Sequence, residues 1–297
     1  MTGNDELPEI EAVHVDVQQL KQFKSEEEFN AISVSLLVEA GEYLVVAACT
    51  MGKDKSWSRD RAAVGGNLVR LYKLISAFLD QICQRRRETS FIMARLVFET
   101  VVTVAYMVKN FSPELIDRYV RHSLRHERKL SDTISGNVAE RGGVVLPIED
   151  RMLKSIDRAV RFSEVPLDSI DMKDRKPWDG KDLRAKAADV GFEKAYLGMF
   201  GGASHNVHGS WQDLYEYHLE AGEVGVFSPR LEWRAPRPQV TLALAVITVE
   251  TVRRFFDWFG ASPVEDVMGA LEDLDERLNA VTDAHEQYLN GRQWPQS

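Results

Sequence analysis

Arg95 and Glu99 stand four residues apart inside an otherwise apolar stretch, Phe91–Asn110. At about 100° per helical residue from Phe91, apolar side chains point in every direction. Arg95 (about 40°), Tyr106 (about 60°), Glu99 (about 80°) and Thr103 (about 120°) form one narrow polar stripe. An i,i+4 Arg–Glu pair can satisfy itself and simply fix the helix in a bundle. The same stripe could line an internal cleft. There Arg95 would hold an anionic or carbonyl group, and Glu99 would orient a partner or take a proton.

A second constellation lies on Phe192–Leu219. Tyr196, Ser204 and His208 share one face, while His205 points elsewhere. Gly201-Gly202 inside this stretch costs helix stability and predicts close backbone approach or a local break that exposes Ser204 and His208. The chemistry on offer is hydrogen bonding by Tyr196 and Ser204, with His208 as acid or base. The bland alternative is a histidine that bonds an internal carbonyl.

A third cluster, Arg118–Lys129, brings five cations into one segment. Arg121 and Arg125 point away from its apolar face, as a solvated surface would. His126 and Glu127 flank that face and could reach the interior. Arg121-His122-Ser123-Leu124-Arg125-His126 resembles the R-x4-H string of the all-helical HEPN ribonucleases. That resemblance implies Arg and His acting on an RNA phosphodiester at a dimer interface. A continuous helix would turn the two side chains about 140° apart.

Other chemistries lack their signatures. His122/His126 and His205/His208 have spacings that could share a metal, but no H-E-x-x-H or Glu-x-x-His run completes a set, so no metal ligands are assigned. Ser204 lacks the G-x-S-x-G elbow. Neither a P-loop nor a dinucleotide fingerprint occurs, and no cofactor is assigned.

The elements that must position these residues read as helices. Ser25 with Glu28 forms a capping box that starts a helix to about Met51. Gly52–Lys55 is a break. Further helices are expected over Arg59–Ile82, Phe91–Asn110, Ser112 to about Glu140, Ile148–Phe162, Asp182–Val190, Phe192–Leu219, Pro238–Phe259 and Pro263–Tyr288. Pro166–Asp182 is a long polar connector, and a short β-hairpin fits 223–233. The expectation is an all-α bundle of about eight helices: residues 1–24 as a flexible acidic arm, 25–297 as a single helical domain.

Composition bounds the function. The 297 residues carry 37 Lys plus Arg against 46 Asp plus Glu, a net charge of −9. Generic nucleic-acid coating and anionic-membrane binding are disfavoured. The two cysteines, Cys49 and Cys83, exclude a disulfide scaffold and read as buried thiols. Neither of the two most apolar stretches, broken by Arg95 and Glu99 or ended by Glu250, reads as long enough to span a membrane, and the N-terminus does not read as a signal peptide. A soluble, cytoplasmic protein is expected.

The order of Arg95-x-x-x-Glu99, Tyr106, Arg118-Tyr119, Trp178, Tyr196 and Ser204-His205-Asn206-Val207-His208-Gly209-Ser210 resembles a bacterial all-helical family, domain of unknown function number five-six-seven-seven. The resemblance covers about Ala31 to Trp211. It implies that Arg95, Glu99, Tyr106, Tyr196, Ser204 and His208 belong together, and supplies no reaction. The leading expectation is an internal polar cleft for a small polar or anionic ligand, with hydrolysis or proton transfer as its chemistry. Catalytic candidates are Glu99, Ser204 and His208. Ligand-binding candidates are Arg95, Tyr106, Tyr196, Arg118, Arg121, His126 and Glu127. A toxin or defence ribonuclease using Arg121 and His126, and a non-enzymatic interaction module, are the alternatives. Broad apolar helix faces leave room for a homo-oligomer.

Overall fold

The structure, a computed structural model, describes residues 10–50, 56–174, 176–260 and 264–292. The expected break at 52–55 and the first nine residues of the expected arm lie outside the described residues. The chain is all-α, with one two-stranded sheet.

The capping signals act where the sequence places them. Ser25 and Glu28 exchange bonds at the start of α2 (Glu26–Thr50), the Ser25 hydroxyl accepting from the Glu28 amide at 3.3 Å. Helices α3 (Arg59–Cys83) and α4 (Arg87–Lys109) follow. Ser112 caps α5 (Pro113–Ser123), with Pro113 in the first turn. Asp182 caps α8 (Leu183–Asp189). The two last long helices are α12 (Pro238–Phe259) and α13 (Val264–Asn290).

Apolar on nearly every side, α4 is the central helix and packs against α3, α12, α10 (Ala203–His208) and α8. Phe98, Val101, Val104 and Met107 are fully buried. By length and composition α2 and α4 could cross a membrane, contrary to the sequence expectation. More than half of each apolar window is nevertheless buried inside the bundle, as in a core helix.

The N-terminal stretch is tied down from Ile10 onward. Ile10, Val13 and Val15 pack on the core around a short helix, α1 (Val17–Leu20). The Val13 amide donates to Glu39, and Arg277 clamps that same buried carboxylate at 2.7 Å on both oxygens.

Four further expectations change. The helix expected from Ser112 to about Glu140 breaks at Leu124, giving α5 and a separate α6 (Arg125–Glu140). Only Ile134 of α6 is buried, so nothing holds its axis in line with α5. α6 pairs with α7 (Pro147–Ser163) in a hairpin that exposes Val144, Val145, Ile148 and Phe162. The helix expected over Phe192–Leu219 is broken into α9 (Glu193–Tyr196), a π-helical turn at Leu197–Gly202, α10, α11 (Trp211–Asp213) and a second π turn at Leu214–His218. Gly209, at φ 57°, ends α10 in a left-handed conformation that costs glycine little. The hairpin pairs β1 (Leu219–Ala221) with β2 (Phe227–Pro229), starting earlier than expected. Both cysteines are exposed rather than buried.

Candidate functional site

The site begins with a charge in an apolar helix. Arg95 on α4 is 15% exposed and donates from Nε to Glu99 at 3.1 Å. Its Nη1 donates to the Ser204 hydroxyl on α10 at 3.0 Å. The guanidinium lies over the Phe200 ring, 4.0 Å from the centroid. A cation over a ring face gains electrostatic attraction as well as contact. Tyr196 stacks on Phe200 at 5.0 Å, completing an aromatic wall.

The elements explain this placement. An intact helix would advance Phe200 and Ser204 in steps of about 100°. The π-helical turn at Leu197–Gly202 adds a residue to one turn and shifts that register. Gly201 and Gly202 occupy this turn, so the break expected from them is real. Phe200 and Ser204, four positions apart, both meet Arg95. The i,i+4 pair and its first contact are thus satisfied, while Nη2 of Arg95 has no hydrogen-bond partner among the described residues. His208 lies one turn beyond Ser204 and is exposed, with no hydrogen bond or ion pair to another described residue.

Tyr106 is not brought to Arg95. Eleven residues of α4 separate them, about 16 Å along the axis. Tyr106 is fully buried and donates to Asp179. Burial, reinforced by the Asp179 carboxylate, pushes its hydroxyl above the usual tyrosine range. Arg118 on α5 reaches the same Asp179 at 2.8 Å. Trp178 packs edge-on against Tyr106 and Tyr119. Lys186 of α8, almost fully buried, donates to the Trp178 carbonyl at 2.8 Å and lies 3.8 Å from the Trp178 ring centroid. Burial pulls its ammonium down to about 8. This second cluster fastens the connector to the bundle.

The basic segment is strapped, not bare. Arg121 donates to Asp117 at 2.5 Å and to the Ser169 hydroxyl at 2.8 Å. Arg125 reaches Asp174 at 3.1 Å, and Arg128 bonds both Asp132 and Asp168. The solvated face expected for Arg121 and Arg125 is therefore partly covered by the connector. His126 is exposed, beyond the Leu124 break from Arg121. Glu127 buries Oε2 without a hydrogen-bond partner among the described residues. Asp179 and Lys186 were not singled out from sequence, and His122 only as half of a spacing that could share a metal. The spaced acids Asp168, Asp174 and Asp179, facing Arg128, Arg125 and Arg118, were the signal for the strap.

No three His, Cys, Asp or Glu side chains among the described residues gather in a way that could hold a metal. The fold and the cluster define an all-helical protein with an arginine held between a core helix and an irregular helical segment. Residues 61–224 match the family described as "Family of unknown function (DUF5677)". The chain belongs to that family, in agreement with the resemblance carried by Arg95, Glu99, Ser204 and His208. The match lends no support to the HEPN resemblance of Arg121–His126. No curated protein and no solved structure matches the chain.

Proposed function

We propose that the protein binds a small anionic or carbonyl-bearing ligand where α4 meets the 197–208 segment. The observation that supports this reading is the state of Arg95. Glu99, Ser204 and Phe200 fix its guanidinium in orientation, and Nη2 has no hydrogen-bond partner among the described residues. A fixed guanidinium loses little freedom on meeting a carboxylate, phosphate or carbonyl oxygen. Ser204 accepts from Arg95 and so keeps its own proton for a ligand oxygen. Tyr196 and Phe200 supply the apolar wall. Glu99 and the exposed His208 are the groups through which such a site would move a proton, in a hydrolytic or acid/base step.

A ribonuclease built on Arg121 and His126 is the weaker reading, because Asp117 and Ser169 already hold the Arg121 guanidinium. A purely structural role for Arg95 is the real competitor. Calorimetric titration with inorganic phosphate and with acetate separates the two. The ligand reading expects saturable heat with at least one anion, lost in Arg95→Met. Heat unchanged in that variant would refute it.

A further inference from the structure

A cavity of about 260 Å³ lies between α5, the start of α6 and residues 169–174 and 176–180 of the connector. Arg118, Arg121, His122 and Arg125 line it. Arg118, Arg121 and His122 share one side of α5 by their i, i+3, i+4 spacing, and Arg125 joins them just beyond the Leu124 break. The connector holds each arginine from one edge. Asp179 takes Nε and Nη2 of Arg118. Asp117 and Ser169 take Nε and Nη1 of Arg121. Lys176 O and Asp174 take Nη1 and Nη2 of Arg125. One nitrogen of each guanidinium is left without a hydrogen-bond partner among the described residues. The orientation of three cations is therefore fixed while each keeps a donor.

The imidazole of His122 also has no hydrogen-bond partner among the described residues, although it is partly buried. Burial, Arg125 and Lys186 hold it below the usual histidine range, against the pull of Asp174. It is therefore neutral near pH 7 and can donate one N–H without adding to the repulsion among the arginines. The cavity is lined by the cations Arg118, Arg121, Arg125 and Lys176 and by the carboxylates Asp171, Asp174 and Asp179, two of which pair directly with Arg125 and Arg118. The wall is thus net positive in a chain whose total charge is −9. Pro177 and Trp178 give it an apolar side.

We propose that this cavity is a binding site for a phosphate monoester, separate from the Arg95 cluster. The free N–H groups of Arg118, Arg121 and Arg125 and the imidazole of His122 meet the phosphate oxygens, and Pro177 and Trp178 flank the organic group. Three guanidinium nitrogens and an imidazole would take up every lone pair of a singly charged carboxylate, whereas a monoester brings a third terminal oxygen and a second negative charge to the three cations. The three terminal oxygens of a monoester match them.

The test is a titration of the full-length protein with phenyl phosphate, followed by NMR of histidine labelled with carbon-13. The expected result is a saturable shift of the His122 ring signal. The apparent Kd should weaken about tenfold, roughly 1.4 kcal/mol, in Arg125→Gln. Lys176→Gln removes a cavity-wall charge whose ammonium makes no hydrogen bond or ion pair among the described residues; a several-fold weakening there keeps the test decisive if Arg125→Gln fails to fold. Arg95→Met should bind phenyl phosphate at this site as the wild type does, which separates this proposal from the Arg95 reading. No saturable shift by about 10 mM, roughly tenfold above a 1 mM Kd, overturns the proposal. So does an undiminished shift in both cavity variants. Equal binding of benzoate would overturn the monoester assignment.

Discussion

Arg95 donates to the Ser204 hydroxyl at 3.0 Å, joining α4 to α10 across 109 positions of sequence. Two polar stripes that are separate in the chain therefore meet at one point. A π-helical turn at Leu197–Gly202 immediately precedes the helix that carries Ser204. An irregular turn at such a place is a common companion of function.

If Arg95 and Glu99 serve a ligand more than the fold, Arg95→Met/Glu99→Leu should fold normally. Replacing a partly buried ion pair by apolar side chains is often neutral or stabilising. The expected change in unfolding free energy is within about 1 kcal/mol, read from urea denaturation. A loss of about 3 kcal/mol or more would mean that the pair holds the bundle together.

Asp179 joins Tyr106 to Arg118 from a left-handed position, at φ 59°. Asp179→Ala should cost about 2–3 kcal/mol, because it strands a buried hydroxyl and strains the backbone. Asp179→Asn keeps an acceptor and tolerates the left-handed conformation, so its cost should be about 1 kcal/mol. Equal losses in the two variants would contradict this division.

Lys186 predicts a pH effect with a definite sign. The unfolded chain keeps this proton up to the ordinary lysine value of 10.5, and the folded chain only up to about 8. Between those values the unfolded state binds more protons, so raising the pH favours the folded state. The stability of wild type relative to Lys186→Met should therefore rise between pH 8 and 10.5. A flat or falling difference in paired denaturation series would show that the carbonyl contacts outweigh burial.

Arg277 and Glu39 form a two-pronged ion pair, with Glu39 1% exposed. Arg277→Met leaves a buried carboxylate and the Val13 carbonyl without this donor. The expected loss is about 3–5 kcal/mol. Adding Glu39→Gln should recover part of it, and proteolysis near Val13 should report the same ranking. No recovery in the double variant would count against an unpaired charge as the cause.

Local signals were legible wherever they act locally. The box of Ser25 and Glu28, the caps Ser112 and Asp182 and the apolar stretches of α3, α4 and α12 all carry their own instructions. What could not be read depends on distant partners. Arg95 and Tyr106 share a direction on the helical wheel, but a wheel contains no axial distance, and Tyr106 binds Asp179 instead. The cationic face of α5 reads as solvated because nothing adjacent in sequence covers it. The connector acids that do so lie some 40 to 60 residues away. Gly201-Gly202 announced a disturbance, but its π-helical form depends on packing against α4.

The most direct test of the central claim is NMR of the arginine Nε–Hε groups in protein labelled with nitrogen-15. Inorganic phosphate and acetate are titrated separately, and the Arg95 signal is assigned from Arg95→Met. The account predicts a saturable shift of that signal with at least one of the two anions. An Arg95 signal that stays fixed through both titrations, in protein whose spectrum is otherwise that of the folded chain, would contradict it.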